Sequence, residues 1–312
     1  MIFISSIEEI PLLTDLKNDV FTHFYLNDPN DPRKRFFPNL IVHDILKLDC
    51  TNIEVLNPLL SPSHVSQKGM VVDLRVRLQD GTYVNVEMQN STFTKAHYER
   101  FEAYGAKMLA DQINRGDSYP TINAVYQVIF INDIDADNPV FIDWYQMRNE
   151  RGNTYKHTKQ YRIFVQIPYI NEIMKTKKLE ELDDVELYAY LLDKGVANDI
   201  LEVENKEVVS NMEGLVDEFN EDENLRLMAY RNLLLDRARR SDLEEAKQEG
   251  VERGLERGAM QEAQTKTIQL FKFTYPNEDT EFLNNLTLEK YNQLFQAILE
   301  KKSVDELKAL IK

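Results

Sequence analysis

The 312-residue chain holds one cysteine, Cys50, so it cannot build an internal disulfide framework, and a reducing compartment is expected. Nowhere does it approach the roughly 18–20 consecutive apolar residues that span a bilayer. The stretch MIFISSIEEIPLL is apolar but short, and Glu8 and Glu9 stand where a secretory signal would continue. These absences predict a soluble, cytoplasmic protein with no membrane partner. Several catalytic classes lack their parts: there is no glycine-rich phosphate loop, no clustered Cys/His zinc spacing and no Gly-x-Ser-x-Gly elbow. Positive charge is also in short supply. Lys and Arg number 37 against 53 Asp and Glu, a net charge of −16, which argues against a broad electrostatic grip on nucleic acid. The deficit is uneven: residues 1–168 carry 17 basic and 21 acidic side chains, the remainder 20 and 32. The first half is near neutral, so a nucleic-acid path there would be a local groove.

What the chain has is an alternating stretch, Met70 to Gln89, around Asp80-Gly81. Val72, Leu74, Val76 and Leu78 share one face, with Asp73, Arg75 and Arg77 on the other. After the turn, Val84, Val86 and Met88 oppose Tyr83, Asn85, Glu87 and Gln89. Period two with β-branched enrichment predicts a β-hairpin with one face in a core. A two-residue turn would set the two apolar faces on opposite sides of the sheet. A three-residue loop, with Gly81 left-handed in a bulge, pairs Leu78 with Thr82 and brings Asp73 opposite Glu87. Directly opposed β-carbons lie about 4.5–5.5 Å apart, where two bare carboxylates repel. A hard divalent cation between them removes the conflict; surface acids eased by Arg75 and Arg77 are the other reading that the pattern leaves open.

Asp73 followed by Glu87-Met88-Gln89 resembles the D…(D/E)xK signature of the PD-(D/E)xK nucleases, in a variant with Gln in place of Lys. More narrowly, VVDLRVRLQDGTYVNVEMQ is similar to the Rpn family of recombination-promoting nucleases and transposase-like proteins. Other stretches fall in the same order: KNDVFTHFYL near the start, VLNPLL before the hairpin, RFEAYGAKMLADQINRGDSY after it, and the glycine-punctuated EGVERGLERG. In the third of these Arg100, Tyr104, Lys107, Gln112, Gly116 and Tyr119 are in register, while Ala103 departs from the usual aromatic, as Thr22 does from the usual Lys.

The resemblance covers about residues 15–170 and implies a restriction-endonuclease-like αβββαβ core, in α/β class, with an all-helical extension. It implies a metal-dependent DNA endonuclease in which Asp73 and Glu87, with the Met88 carbonyl, hold Mg²⁺ or Mn²⁺, and Asp73, Glu87 and Gln89 are catalytic. Gln89 orients water by hydrogen bonding but is neither acid nor base near neutral pH; Lys68 or Lys95 could take the missing lysine's part. Asp19 is the candidate acid of the first helix. Arg100 is either a counter-ion of the acid pair or a fork for the scissile phosphate, and Tyr104 is a core residue or a ligand. The Gln in place of Lys keeps a second function open: a nuclease fold that has lost its activity and serves as a protein-interaction scaffold.

For the rest, helices are expected over Thr14–Leu26 with Thr14 as N-cap, Phe37–Leu48 and Phe93–Arg115. Strands are expected at Asn52–Asn57, Ala124–Asn132 (buried on both faces) and Tyr161–Ile167, and strand or loop at Asn138–Gln146. Beyond Pro168 amphipathic segments predict a helical bundle. The expected division is 1–170 nuclease-like, 171–240 helical bundle, and 241–312 a Gly250/Gly254/Gly258 segment with a small helical unit capped at Thr287 and Ser303. The glycine spacing suggests self-association through close helix packing, or a flexible connector.

Overall fold

The computed structural model describes the chain except residues 1–9, 29, 61–69, 91–92, 114–121, 197–199, 201–202, 204–205 and 312. Lys68, Gly116 and Tyr119 therefore lie outside the described residues. Two compact units are present, Met1–Leu234 and Leu235–Lys312.

The first unit is built on a six-stranded mixed sheet of order β1-β4-β5-β6-β8-β7. The strands are β1 Ile53–Leu56, β4 Leu74–Leu78, β5 Tyr83–Gln89, β6 Val125–Ile131, β7 Ile142–Tyr145 and β8 Gln160–Gln166, with a two-stranded ribbon of β2 Leu59–Leu60 and β3 Met70–Val71 beside it. β1, β4 and β5 are antiparallel neighbours; β5, β6 and β8 run parallel, and β7 closes the edge antiparallel to β8. Helix α3, Lys95–Ala110, is the crossover between the parallel strands β5 and β6. With α1 (Asp19–Leu26) and α2 (Pro32–Leu40) ahead of the sheet, the chain runs helix, three strands, helix, strand. The fold class is the α/β restriction-endonuclease-like core that the sequence predicts.

The hairpin has the expected register. Arg77 faces Tyr83, Val76 faces Val84, Arg75 faces Asn85 and Leu74 faces Val86. Leu78 N–H donates to Thr82 O at 2.8 Å, Gly81 N–H donates to Leu78 O at 2.9 Å, and Gly81 sits at φ +86°. The odd loop keeps Leu74, Val76, Leu78, Val84, Val86 and Met88 in one core. That core is shared with α1, α2, the short α4 (Ile170–Ile173), α5 (Asp184–Lys194) and α6 (Glu207–Glu221), through Phe21, Phe37, Ile170, Tyr188, Met212 and Phe219. A boundary at residue 170 is corrected here: the helices after it do not form a separate bundle, because their apolar faces are the second layer that covers the sheet. α3 covers the other face through Phe101 and Met108.

Two local expectations also shift. α1 begins at Asp19 with Asn18 as its N-cap, its side chain accepting from Val20 N–H at 3.0 Å. Thr14 is not the cap, because Asn18 Nδ2 donates to Ala229 O and Lys17 Nζ to Leu192 O, tertiary bonds that hold the preceding segment away from the helix. The second helix starts at Pro32, capped by Asp31, and ends in a π turn over Ile41–Ile45. α3 is shorter at both ends than Phe93–Arg115. β7 takes only Ile142–Tyr145 of the Asn138–Gln146 stretch, and Trp144 is half-exposed on it.

α7 runs from Glu223 to Thr274, so Gly250, Gly254 and Gly258 are helical, with open space where a Cβ would stand. In the second unit, Phe271, Leu283, Leu294, Ile298 and Leu307 form a small core with α8 (Leu288–Leu299) and α9 (Val304–Ala309). Thr287 caps α8, and Ser303 with Glu306 forms a capping box on α9.

Gly81→Ala should lower stability by about 1–2 kcal/mol in urea unfolding, since its φ is strained for any side chain and a Cβ would stand 2.9 Å from Asn123 Cγ. An unchanged midpoint would mean that the loop is not held in this conformation.

Candidate active site

The site begins with a strand that breaks. Leu78 and Thr82 are a hydrogen-bonded pair, so alternate pairs up the ladder bond in turn: 76 with 84, 74 with 86, and 72 with 88 if β4 continued. It does not continue. Val72 N–H donates instead to Pro58 O at 3.1 Å, and the Val72 side chain joins Met108, Val125 and Leu60 under α3 rather than the Leu74–Leu78 face. Met88 N–H, deprived of its backbone acceptor, donates to Asp73 Oδ2 at 2.6 Å. The carboxylate thus replaces a lost ladder bond. By the same divergence the Met88 carbonyl loses the Val72 donor that a continued ladder would give it. Asn27, at the end of α1, donates from Nδ2 to Asp73 O at 2.7 Å and holds the departing chain.

One residue past the last formal pair, the register sets Asp73 opposite Glu87. Glu87 is buried, and so are Asn85 and Gln89 on the same face. This corrects the expectation of a hairpin with only one buried face: α3 lies on the other, because β5 is an interior strand with a parallel neighbour. Burial pushes the Asp73 carboxyl up to about 6, with the charge of Asp19 adding to the rise and the Met88 N–H and Arg100 opposing it. Glu87 is raised well above the carboxylate range, first by burial, then by Asp73, with Arg100 opposing. Glu87 Oε1 has no hydrogen-bond partner among the described residues. The buried Glu87, its pKa raised by the charge of Asp73 and one oxygen orphaned among the described residues, stands with the half-buried Asp73 beside a released carbonyl, a hard oxygen set suited to a divalent cation. Among the described residues no group of three or more His, Cys, Asp or Glu is arranged to hold a metal, so a bound ion would draw on the carbonyl as well as the two acids.

Arg100, from α3, completes the cluster. Its Nη2 donates to Gln89 Oε1 at 2.6 Å and stands 3.9 Å from Glu87 Oε2, and its guanidinium lies 4.7 Å from the Phe101 ring centroid and 5.9 Å from that of Tyr104. Tyr104 is half-buried, its hydroxyl pKa raised by burial and by Glu87; it packs in the satellite core around Met108. Asp19 is exposed at the start of α1, and its charge reaches both acids. Lys95 is exposed and pairs with Glu99 at 3.6 Å, one turn along α3. Arg75 and Arg77 do not ease the acid pair: Arg77 binds Glu54 at 2.7 Å, and Arg75 lies over Tyr83.

The seat of α3 was not legible in the sequence. Gln127 on β6 is fully buried, donates to Phe101 O at 2.8 Å, and accepts from Arg162, which reaches on to Glu102 at 2.7 Å. Gly105 lets the helix come down on this network; a Cβ there would collide with Gln160 Nε2 and stand 2.5 Å from Gln127 Oε1. Gln112 closes the following loop with two bonds to the Asn123 backbone, accepting from its N–H at 2.8 Å and donating to its carbonyl at 3.2 Å.

Residues 36–246, well over half of the chain, match the family described as PD-(D/E)XK nuclease family transposase. The chain belongs to this family. The match begins after Asp19 and runs past residue 170 into α7, so family membership extends over the helices that complete the sheet's core. No curated protein and no solved structure matches the chain. PD-(D/E)XK proteins are nucleases, hydrolases that generally work with divalent metal ions and act on DNA. No helix among the described residues is long and apolar enough to cross a membrane.

The raised Asp73 pKa has a signed consequence. Between the unfolded value of 3.8 and about 6, the folded chain keeps a proton that the unfolded chain has shed. Stability therefore falls as pH rises through that window, and the full cost is present above it. In the absence of divalent ions, Asp73→Asn should raise the melting temperature at about pH 8 and give no gain near pH 4. An equal gain at both would trace the effect to something other than ionisation.

Proposed function

We propose that the chain is a Mg²⁺- or Mn²⁺-dependent DNA endonuclease of the recombination-promoting, transposase-like kind, working in the cytoplasm. The observation that carries this reading is the convergence of Asp73, Glu87 and the Gln89–Arg100 pair where β4 parts from β5. Asp73, Glu87 and the Met88 carbonyl would hold the ion. When bound, it would supply Lewis-acid stabilisation of the charge on the phosphodiester and lower the pKa of the attacking water.

The remaining work falls to side chains of the chain itself. Asp73 and Glu87 supply anionic ligands once ionised, and burial makes the ionisation of Glu87 depend on a neighbouring cation. Arg100 presents a planar fork from α3 and suits a phosphate oxygen. Gln89 is held by that same guanidinium, so amide and arginine act as a unit: Gln89 orients water, and Arg100 carries the positive charge that Lys brings to the commoner motif. The two cannot be changed separately. A Lys at 89 would lose the acceptor for Arg100 and set two cations about 3 Å apart, where like charges repel strongly.

On plasmid DNA with Mg²⁺ or Mn²⁺, Asp73→Ala and Glu87→Ala should each abolish cleavage, because either loss leaves too few anionic ligands. Arg100→Ala should slow cleavage with less effect on metal binding. Gln89→Lys, expected from the motif alone to preserve or raise activity, should now lower it, and Gln89→Lys with Arg100→Gln should recover part of the loss. Cleavage that persists in Asp73→Ala, with no Mn²⁺ binding by calorimetry, would refute the nuclease reading and leave the interaction scaffold.

Self-association through the carboxy-terminal helices belongs to the same proposal. Leu243 and Leu255 are 70% exposed on α7, beside the glycines at 250, 254 and 258. Leu243→Glu with Leu255→Glu should lower the sedimentation mass of the full chain; an unchanged mass would exclude this face as the contact.

A further inference from the structure

Buried polar atoms without a partner are few in a folded chain, and each calls for an explanation. Five of the nine such side-chain atoms among the described residues gather on one face. Arg75 Nε, both amide atoms of Asn85, Glu87 Oε1 and Arg100 Nε all lack a hydrogen bond, and all belong to the α3 side of β4 and β5 or to α3 itself. Asn85 is wholly buried, yet no group among the described residues takes its amide. It stands directly opposite Arg75, and Arg75 is diagonal to Glu87, two residues along β4 from Asp73.

Arg75 is also unusual by what it does not do. Acids outnumber bases in this chain by 53 to 37, and the neighbouring Arg77 has found one, Glu54, at 2.7 Å. Arg75 is half-buried and makes no ion pair among the described residues; it lies over the Tyr83 ring, 5.4 Å from the guanidinium carbon to the centroid. Leaving such groups unsatisfied is costly, and a ligand would recover that cost. A guanidinium held over a ring beside a carboxylate pair suits one ligand class, the oxyanions of a phosphodiester, to which it offers paired donors in a fixed plane.

We propose that Arg75 is a nucleic-acid-binding residue that contacts a backbone phosphate neighbouring the one presented to Asp73 and Glu87. The proposal rests on the nuclease reading of that site for its ligand. Arg100 then approaches the strand from α3 and Arg75 from β4. This gives a nearly neutral half of an acidic chain two local points of grip in place of a broad field.

The test is binding of a fluorescently labelled DNA duplex by the full chain, in Ca²⁺, across a salt series. The variants are Arg75→Met, which keeps the stem over Tyr83, Arg75→Lys, and Arg77→Met as a control for charge alone. Melting curves confirm that each is folded. Arg75→Met should weaken binding at least about threefold and reduce the slope of log affinity against log salt by about one, as expected for one lost phosphate contact. Arg75→Lys should recover part of the affinity, and Arg77→Met should match the native chain. Native-like affinity and slope in Arg75→Met, or an equal loss in Arg77→Met, would overturn the proposal. Cleavage by the same proteins separates it from the reading beneath it. If Asp73→Ala abolishes cleavage while Arg75→Met binds normally, only the Arg75 assignment fails. If Arg75→Met loses binding while Asp73→Ala still cleaves, the acid-pair site fails and the phosphate contact stands. A native chain that binds no DNA even at low salt overturns both.

Discussion

Much of what is distinctive in the first unit follows from placing a buried carboxylate, Glu87, next to a half-buried one, Asp73. A single buried carboxylate is costly, and a second beside it makes the first worse. The chain meets part of that cost locally. Asp73 accepts the Met88 N–H that the parting strand abandons, so the same break that exposes the acid also gives it a hydrogen bond. Glu87 has no such relief on Oε1 and depends on Arg100 at a distance. The fold around these groups, with α3 on one face of the sheet and α1, α5 and α6 on the other, holds them together.

The helices that follow residue 170 belong to this task. They supply the layer that covers one face of β5 and β6, through Tyr188, Leu191 and Phe219, and Tyr188 bonds Tyr25 of α1 at 2.6 Å beneath the site. Burial holds the Tyr188 hydroxyl pKa well above its ordinary value, so the pair stays neutral. An acidic half of the chain therefore contributes apolar faces inward and carries its charge outward, which is how a protein of net charge −16 can hold a nearly neutral working face.

How much of this the sequence disclosed depended on the range of the interaction. The hairpin register was legible because period-two alternation and a single Gly allow only one loop length, and Asp73 opposite Glu87 followed from it. The pairing of Gln89 with Arg100 was not, although both residues were marked by resemblance, because it depends on how deeply α3 sits. That depth is set by Gly105, Gln127 and Arg162, which lie on three elements and carry no local signal. The start of α1 was misjudged for a similar reason: Thr14 is as good a cap as Asn18 in isolation, and bonds to Leu192 and Ala229 decide between them. Val72 reads as one more alternating residue, and only the bond to Pro58 shows that the strand has already turned away.

Gly105, Gln127 and Gln160 occupy what amounts to a single volume between helix and sheet. A side chain gained at one of these positions must be surrendered at another, or the helix lifts and takes Arg100 with it. The three should therefore drift together through evolution although they are distant in the chain. Their joint identity, more than the acids alone, would then distinguish descendants that have kept their catalytic geometry from those that have kept only the shell.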